Sequence, residues 1–232
     1  MELLFLFPCS KEKISNMIQI KTLVFNPFQE NTYLLSDETN ECIIVDAGCY
    51  TAQEFDLLVN YLAKNNLKPV KLINTHCHVD HVLGISRLME KYNIPFEAHK
   101  SEDKIIGEAV QHGKVFGFVL EQPPYPTSYL KEGDEVRVGN STLKVLEVPG
   151  HSQGHIAFYS EEGKFVVVGD VLFRGSIGRT DLTGGDYDQL INSIYKKLLV
   201  LDRSTVVYPG HGPATTIGEE IMTNPFLSQL GI

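Results

Sequence analysis

The chain has 232 residues, enough for one large domain or two small ones, and its 43% hydrophobic content supports a sizeable core. A formal net charge of -9 argues against a general binder of nucleic acid or anionic membrane, since both need a positive surface. Its cysteines, Cys9, Cys42, Cys49 and Cys77, show neither disulfide-framework nor zinc-ribbon spacing, so free thiols in a reducing, cytoplasmic compartment are expected.

The first stretch, Met1 to Pro8, is apolar, but it carries Glu2 and is too short to span a membrane. It lacks the basic start and small-residue cleavage site of a signal peptide. Met17 follows, and an alternating strand pattern begins at Ile18. Residues 1–16 are therefore expected to be an extension from an upstream start codon, outside a single domain of residues 17–232. A secretion or lipoprotein signal is the rival, and Leu6-Phe7-Pro8-Cys9 fits it poorly.

Ile18–Phe25 and Asn31–Ser36 read as strands about a turn at Asn26-Pro27, and Glu41–Val45 as a third, ending at Asp46-Ala47-Gly48. Thr51 can cap a helix to about Asn66, with Phe55, Leu58, Val59 and Leu62 at helical spacing. A strand through Val70–Asn74 leads into residues 75–81, and a helix follows to about Tyr92. Pro95–Ala98 reads as a strand, and Ser101 as the cap of a helix to about Gln111. Gly113–Tyr129, rich in proline and aromatics, has no clear period and reads as a loop, either surface packing or a substrate wall. Glu135–Val138 and Thr142–Val148 form a hairpin about Gly139-Asn140. Strands Ile156–Ser160 and Lys164–Val168 follow, then a helix from about Tyr187 to Val200, a strand Thr205–Tyr208 and a last helix from Ile217. Strand and helix alternate in the first half, which implies an α/β layered fold.

The chemistry concentrates in Thr75-His76-Cys77-His78-Val79-Asp80-His81, between a strand and a helix. Three imidazoles and a carboxylate within six residues suit zinc, iron or manganese, and a bound cation would offset the cost of clustering them. A solvated polar loop with incidental histidines is the bland alternative. Cys77 would point away from His76 and His78 in an extended loop and is not counted as a ligand. His151, Asp170 and His211 each follow an apolar strand and have glycine beside them, which lets the backbone turn sharply and approach closely. With His76, His78, Asp80 and His81 they make seven candidate ligands. That is too many for one tetrahedral ion and suits two ions sharing a carboxylate.

This order of ligands, His76-x-His78-x-Asp80-His81, then His151, Asp170 and His211, resembles the metallo-β-lactamase superfamily over residues 18–232. Within it the chain is most similar to glyoxalase II-like (hydroxyacylglutathione hydrolase-like) enzymes of a short bacterial subgroup, on residues 172–181 (LFRGSIGRTD) and 209–219 (PGHGPATTIGE). The resemblance implies a four-layer αβ/βα sandwich of two mixed sheets. It implies two divalent ions, zinc by default, with His76, His78 and His151 on the first, Asp80, His81 and His211 on the second, and Asp170 bridging. It implies attack on a carbonyl carbon by hydroxide held between the ions, with Asp80 orienting it. The expected partner is a small-molecule acyl thioester such as S-lactoylglutathione, with no nucleic acid and no membrane.

Beside this set, Asp46 is expected to hydrogen-bond a ligand histidine, with turn capping as the alternative. The resemblance makes His155 a packing or supporting residue. His99 reads as structural and His112 as a surface residue. Arg179 matches a basic residue that contacts a glutathione carboxylate in glyoxalase II, and a salt bridge to Asp181 is the equal alternative. Arg174 has a weaker case. The match departs from the longer glyoxalase II enzymes after Arg179, where Thr180-Asp181 lacks their aromatic, and after His211, where Gly212-Pro213 replaces their acidic-aromatic pair. Their C-terminal helical glutathione region is not seen here. The competing readings are a persulfide dioxygenase with one iron on His76, His78 and a third ligand, a lactonase or other hydrolase of this fold, and a non-catalytic metal module.

Overall fold

The computed structural model describes residues 17–228; the extension expected over residues 1–16, with Cys9, lies outside them. In chain order the elements are β1 (Gln19–Phe25), β2 (Glu30–Ser36), β3 (Glu41–Val45), α1 (Ala52–Lys64), β4 (Lys68–Ile73), α2 (Ile85–Tyr92), β5 (Phe96–His99) and α3 (Asp103–Val115). Then come β6 (Ser128–Leu130), β7 (Glu135–Val138), β8 (Ser141–Glu147), β9 (Ile156–Ser160), β10 (Phe165–Gly169), β11 (Leu172–Phe173) and β12 (Ser176–Ile177). The chain continues through α4 (Tyr187–Ser193), β13 (Val206–Pro209), β14 (Thr215–Thr216), α5 (Ile217–Thr223) and α6 (Pro225–Ser228).

The strands form two six-stranded sheets, ordered β1-β2-β3-β4-β5-β6 and β14-β13-β10-β9-β8-β7, and β11 and β12 pair separately. Both large sheets are mixed. Antiparallel β1-β2-β3 adjoins parallel β3-β4-β5-β6, and β10 runs parallel to β13 but antiparallel to β9.

Alternation along each strand divides the core. Ile43 and Val45 of β3 meet Phe165 and Val167 of β10 in a cluster between the sheets. Their neighbours Cys42 and Ile44 face away, into a cluster with Leu58 and Leu62 of α1, Leu88 of α2 and Ile106 of α3. Val166 and Val168 face the opposite way, toward Leu190 of α4, Ile194, Leu198 and Ile217. The result is the expected helix–sheet–sheet–helix sandwich. Both faces of the inner strands are buried, which is why they read as continuous apolar runs.

Three local expectations need correction. Ser101 does not cap α3; residues 100–102 form a 3-10 turn, and the Ser101 N–H donates to His99 Nδ1 at 3.2 Å. The helix then runs through Gly113 to Val115, and the end of the expected loop pairs with β5 as β6. Gly113 reads as a break, yet its missing side chain makes room for Leu120, and Val79 lies 3.5 Å from where a Cβ would be. The helix expected to Val200 changes at Ser193 to a π-helical turn over Ile194–Leu198, which keeps Ile194 and Leu198 buried beside Leu190.

The α1 start is built as expected and more heavily tied. Thr51 Oγ1 accepts from the Glu54 N–H at 3.2 Å. The Glu54 carboxylate accepts from Thr51 N–H at 2.8 Å, Tyr50 N–H at 2.9 Å and Asn26 N–H at 2.7 Å. Thr51→Ala removes one bond and should cost about 1 kcal/mol. Glu54→Ala strands three backbone donors and should cost about 2 kcal/mol. Urea unfolding of the two variants checks the order, which inverts if Thr51 is the main support.

Candidate metal centre

The parallel strands set the site. Residues 74–78 leave the C-terminal end of β4, Asp170 that of β10 and His211 that of β13, while His151 lies between β8 and β9. Backbone bonds stitch these ends together. Ile156 N–H donates to Thr75 O at 2.9 Å, Gly210 N–H to Gly169 O at 2.8 Å, and Asn31 N–H to Gly210 O at 2.7 Å. Asn31 Nδ2 adds bonds to Pro209 O at 2.9 Å and Gly212 O at 2.8 Å.

Two glycines serve close approach. A Cβ on Gly210 would overlap Asp170 Oδ1, and one on Gly150, at φ +133°, would overlap the backbone of Leu190. The residues that follow or face them, His151, Asp170 and His211, can project into one space only because these side chains are absent.

Into that space point two triads, His76-His78-His151 and Asp80-His81-His211, each with ligand atoms within 4.8 Å of one another. Asp170 lies between them. Its Oδ2 is 3.7 Å from His151 Nε2 and 3.5 Å from His211 Nε2, and its Oδ1 is 3.6 Å from His81 Nε2. His78 Nδ1 and His151 Nε2 face each other at 2.9 Å, and Asp80 Oδ2 is 3.1 Å from His211 Nε2.

The far side of three rings is held by hydrogen bonds, and that of a fourth faces a carboxylate. His151 Nδ1 meets Arg179 O at 2.8 Å and His211 Nδ1 meets Phe28 O at 2.9 Å. A carbonyl only accepts, so each Nδ1 carries the proton and each Nε2 turns a lone pair inward. Thr75 Oγ1 donates to Asp46 Oδ2 at 2.7 Å, which leaves it to accept from His76 Nδ1 at 3.1 Å. Asp46 Oδ2 also stands 3.2 Å from His81 Nδ1. The expected contact of Asp46 with a ligand histidine is therefore present, and its other oxygen takes the Thr75 N–H at 2.7 Å.

This leaves inward-facing atoms without partners. His76 Nε2, His81 Nε2 and Asp170 Oδ1 are buried and unbonded. Such groups are costly unless a cation meets them, so the donor set fits two divalent ions of the borderline to hard kind. In the metal-free chain the two halves differ in proton affinity. Burial, reinforced by neighbouring imidazoles, holds His76 low and His78 down at about 3, and burial also lowers His151 against the pull of Asp170. Burial opposes charge at His81 and His211 as well, but Asp80 and Asp170 outweigh it and raise both. Burial would raise Asp80, yet His81 and His211 hold it below the carboxylate range.

His155 supports the centre without facing it. Its ring stacks on His76 at 4.6 Å, and its Nε2 accepts from the Asp170 N–H at 3.1 Å. Cys77 is buried in the helix-side core, with burial pushing its thiol up, so it offers no ligand. His99 stays structural, 3.4 Å from Glu147. His112 is not a plain surface residue: it is half-buried and lines the cavity over the metal centre.

Sequence reasoning missed Glu102 and Glu30. Glu102 is fully buried and accepts from Cys77 N–H at 2.7 Å, Ser152 Oγ at 2.8 Å and Gly154 N–H at 2.9 Å, tying the 76–78 loop to the 151–154 loop. Glu30, also buried, has Oε1 3.9 Å from His81 Nδ1, and burial raises its carboxyl. Neither stands in a local pattern that announces it.

Above the centre opens a cavity of about 910 Å³. His78, Asp80, His151, Asp170 and His211 reach it, and Phe28, Ile105, Val115, Phe116 and Phe173 line it. Arg174 and Arg179 line it too, but both are engaged. Arg179 makes two 2.7 Å bonds to Asp181, and Arg174 one of 3.0 Å to Glu219. The ion pair is thus the arrangement present at Arg179. Val115 and Phe116 carry the wall reading of the 113–129 stretch only at its start.

Residues 25–211 match the metallo-β-lactamase superfamily. The probable metallo-hydrolase YqgX of Bacillus subtilis is 38% identical over 204 residues, covering 87% of this chain and 94% of that protein. Hydroxyacylglutathione hydrolase GloC of Haemophilus influenzae is 34% identical over 213 residues, covering 91% and 99%. Among solved structures, TTHA1623 in a di-iron-bound form superposes with a TM-score of 0.81 at 38% identity, covering 89% of this chain and all of that one. The BLEG-1 B3 metallo-β-lactamase gives 0.82 at 33% identity, covering 90% and all of that chain. The chain belongs to the metallo-β-lactamase superfamily, and that membership supports a metal-dependent hydrolase.

Proposed function

We propose that this protein is a dinuclear hydrolase of acyl thioesters, of the glyoxalase II type, with S-lactoylglutathione as the reference substrate. The observation that carries the reading is the pair of complete triads with Asp170 between them. A structural ion would be closed by four ligands and would need neither the second triad nor an open cavity. The 34% identity to GloC along nearly its whole length supports the thioester class. Zinc is the default metal, and the di-iron form of TTHA1623 keeps iron in view.

His76, His78 and His151 would hold one ion and Asp80, His81 and His211 the other, with Asp170 shared between them. When bound, such a pair supplies hydroxide at neutral pH and polarises a carbonyl. The chain's own residues do the rest. Arg179 O, Phe28 O and Thr75 keep the imidazole protons on the outer nitrogens. Asp80, a carboxylate that reaches the cavity, can accept a hydrogen bond from a water and orient it. The partner is a small molecule, with no nucleic acid, no membrane and a cytoplasmic setting. Among the described residues no helix is long and apolar enough to cross a membrane.

Two outcomes test this directly. Asp170→Ala should strip both metals in dialysed protein and abolish thioester hydrolysis; retained turnover refutes the bridging role. Oxygen uptake should stay at background with glutathione persulfide, since stoichiometric consumption would instead mark a dioxygenase.

Asp46→Asn keeps an oxygen for Thr75 but weakens the support behind His81. It should lower affinity for one of the two metals by roughly 10–100-fold, read by competition with a chromogenic chelator.

Protons compete with metal for the same lone pairs. His81 and His211 have raised proton affinity, so they take protons at higher pH than His76, His78 and His151, which are held low. As the pH falls from neutrality, one metal equivalent should leave before the other. Simultaneous release would contradict the difference in proton affinity between the two triads.

A further inference from the structure

The floor of the cavity is polar, but its walls are apolar and its cations are already paired. We propose that the substrates are thioesters with an extended, uncharged apolar arm, seated on the wall made by Phe28, Ile105, Val115 and Phe116. This rests on the thioester-hydrolase reading above and goes further by naming the substrate's flanking chemistry.

Four observations converge on it. First, a volume of about 910 Å³ lies near the top of the range for small-molecule sites, roughly 300–1,000 Å³, so the site has room for a long arm on either side of the thioester. Second, part of the wall is a packed aromatic cluster. The Phe28 ring meets Phe116 edge-on at 5.5 Å and Phe118 at 5.2 Å, giving a fixed aromatic surface from the β1–β2 turn to the end of α3. Third, Val115 is 75% exposed and Phe116 44%, so apolar groups stand in water beside the reactive centre. Fourth, both guanidinium groups lining the cavity are held by carboxylates, Arg179 by Asp181 and Arg174 by Glu219, and His112 lies 3.6 Å from Glu108. Glutathione brings two carboxylates. They would have to displace acids already in place, on a chain whose formal charge is -9. An apolar arm needs no such exchange and takes the wall residues out of water.

The reaction balances without a further reagent. Water adds across the acyl carbon–sulfur bond; its oxygen joins the acyl carbon, the C–S bond breaks, and the sulfur leaves as a thiol after taking a proton. The products are a carboxylic acid and a thiol, one of them carrying the apolar arm.

The test uses the full chain with two metal equivalents verified by elemental analysis. One series holds the thiol as neutral N-acetylcysteamine and lengthens the acyl group from acetyl to octanoyl. The second holds acetyl and lengthens an S-alkyl group. kcat/KM should rise about fourfold per buried methylene along at least one series. The long member of that series should exceed S-lactoylglutathione. Non-hydrolysable S-alkyl thioethers should bind the metal-free chain with a similar slope by calorimetry. Phe116→Ser, at an exposed position, should cut the long-over-short ratio by about an order of magnitude; an unchanged ratio counts against the proposed wall. Flat profiles in both series, with thioesters still hydrolysed, overturn this proposal and leave the thioester reading standing. No turnover of any thioester by the metal-loaded chain overturns both.

Discussion

The structure depends on an array of lone pairs aimed at one buried space. His76 Nε2, His81 Nε2 and Asp170 Oδ1 find no donor anywhere in the described chain. An array of acceptors cannot satisfy itself, and burial keeps bulk water from doing so. The arrangement persists because four of the five rings have a partner behind them. Arg179 O and Phe28 O take the outer protons of His151 and His211, Thr75 that of His76, and Asp46 stands behind His81. The inner surface is therefore preorganised for cations before any arrives.

Holding that array requires both sheets to meet at one edge. Asn31, from the first sheet, makes its three bonds to the loop that carries His211, from the second. Glu102 does the same for the 76–78 and 151–154 loops, and its cost of burial is offset by three donors. The ligands thus belong to separate loops but not to independent ones. A shift at β13 would reach Asn31 and so β2, and a shift at residue 102 would reach both loops of the first triad.

The sandwich and the ligand loops were legible in the sequence because their signals are local. Apolar runs such as Val166-Val167-Val168 mark strands buried on both faces, and the six residues 76–81 put four donor groups side by side. Glycine beside His151, Asp170 and His211 marked close approach, and Gly150 and Gly210 show that approach as space a Cβ would occupy. Glu102 and Glu30 were not legible, since a carboxylate in a helix turn or strand start gives no hint that it reaches a loop 25 or more residues away. The end of α3 was misplaced for a related reason. Gly113 breaks a helix in local propensity, and only its packing against Leu120 and Val79 lets the helix continue. Arg179 could not be decided by pattern because its neighbour Asp181 and an outside carboxylate compete for the same guanidinium.

The centre and the cavity above it answer different questions. A metal-loaded floor would present two divalent cations, held between Asp80 and Asp170, to whatever carbonyl enters the cavity. Such a floor draws a carbonyl oxygen or a departing anion of almost any substrate and does little to choose among them. Choice then falls to groups that differ between substrates, and those lie higher, at Phe28, Val115 and Phe116 and at the two paired arginines. An arginine already held by an exposed acid can still be won by a substrate carboxylate, because such surface pairs are worth about 0–1 kcal/mol. The apolar wall has no such competitor: nothing in the described chain covers Val115, and each methylene laid on it contributes about 0.8 kcal/mol when fully buried. Over several carbons that gain exceeds what either arginine has to offer, so the wall rather than the cations should govern which thioester is preferred.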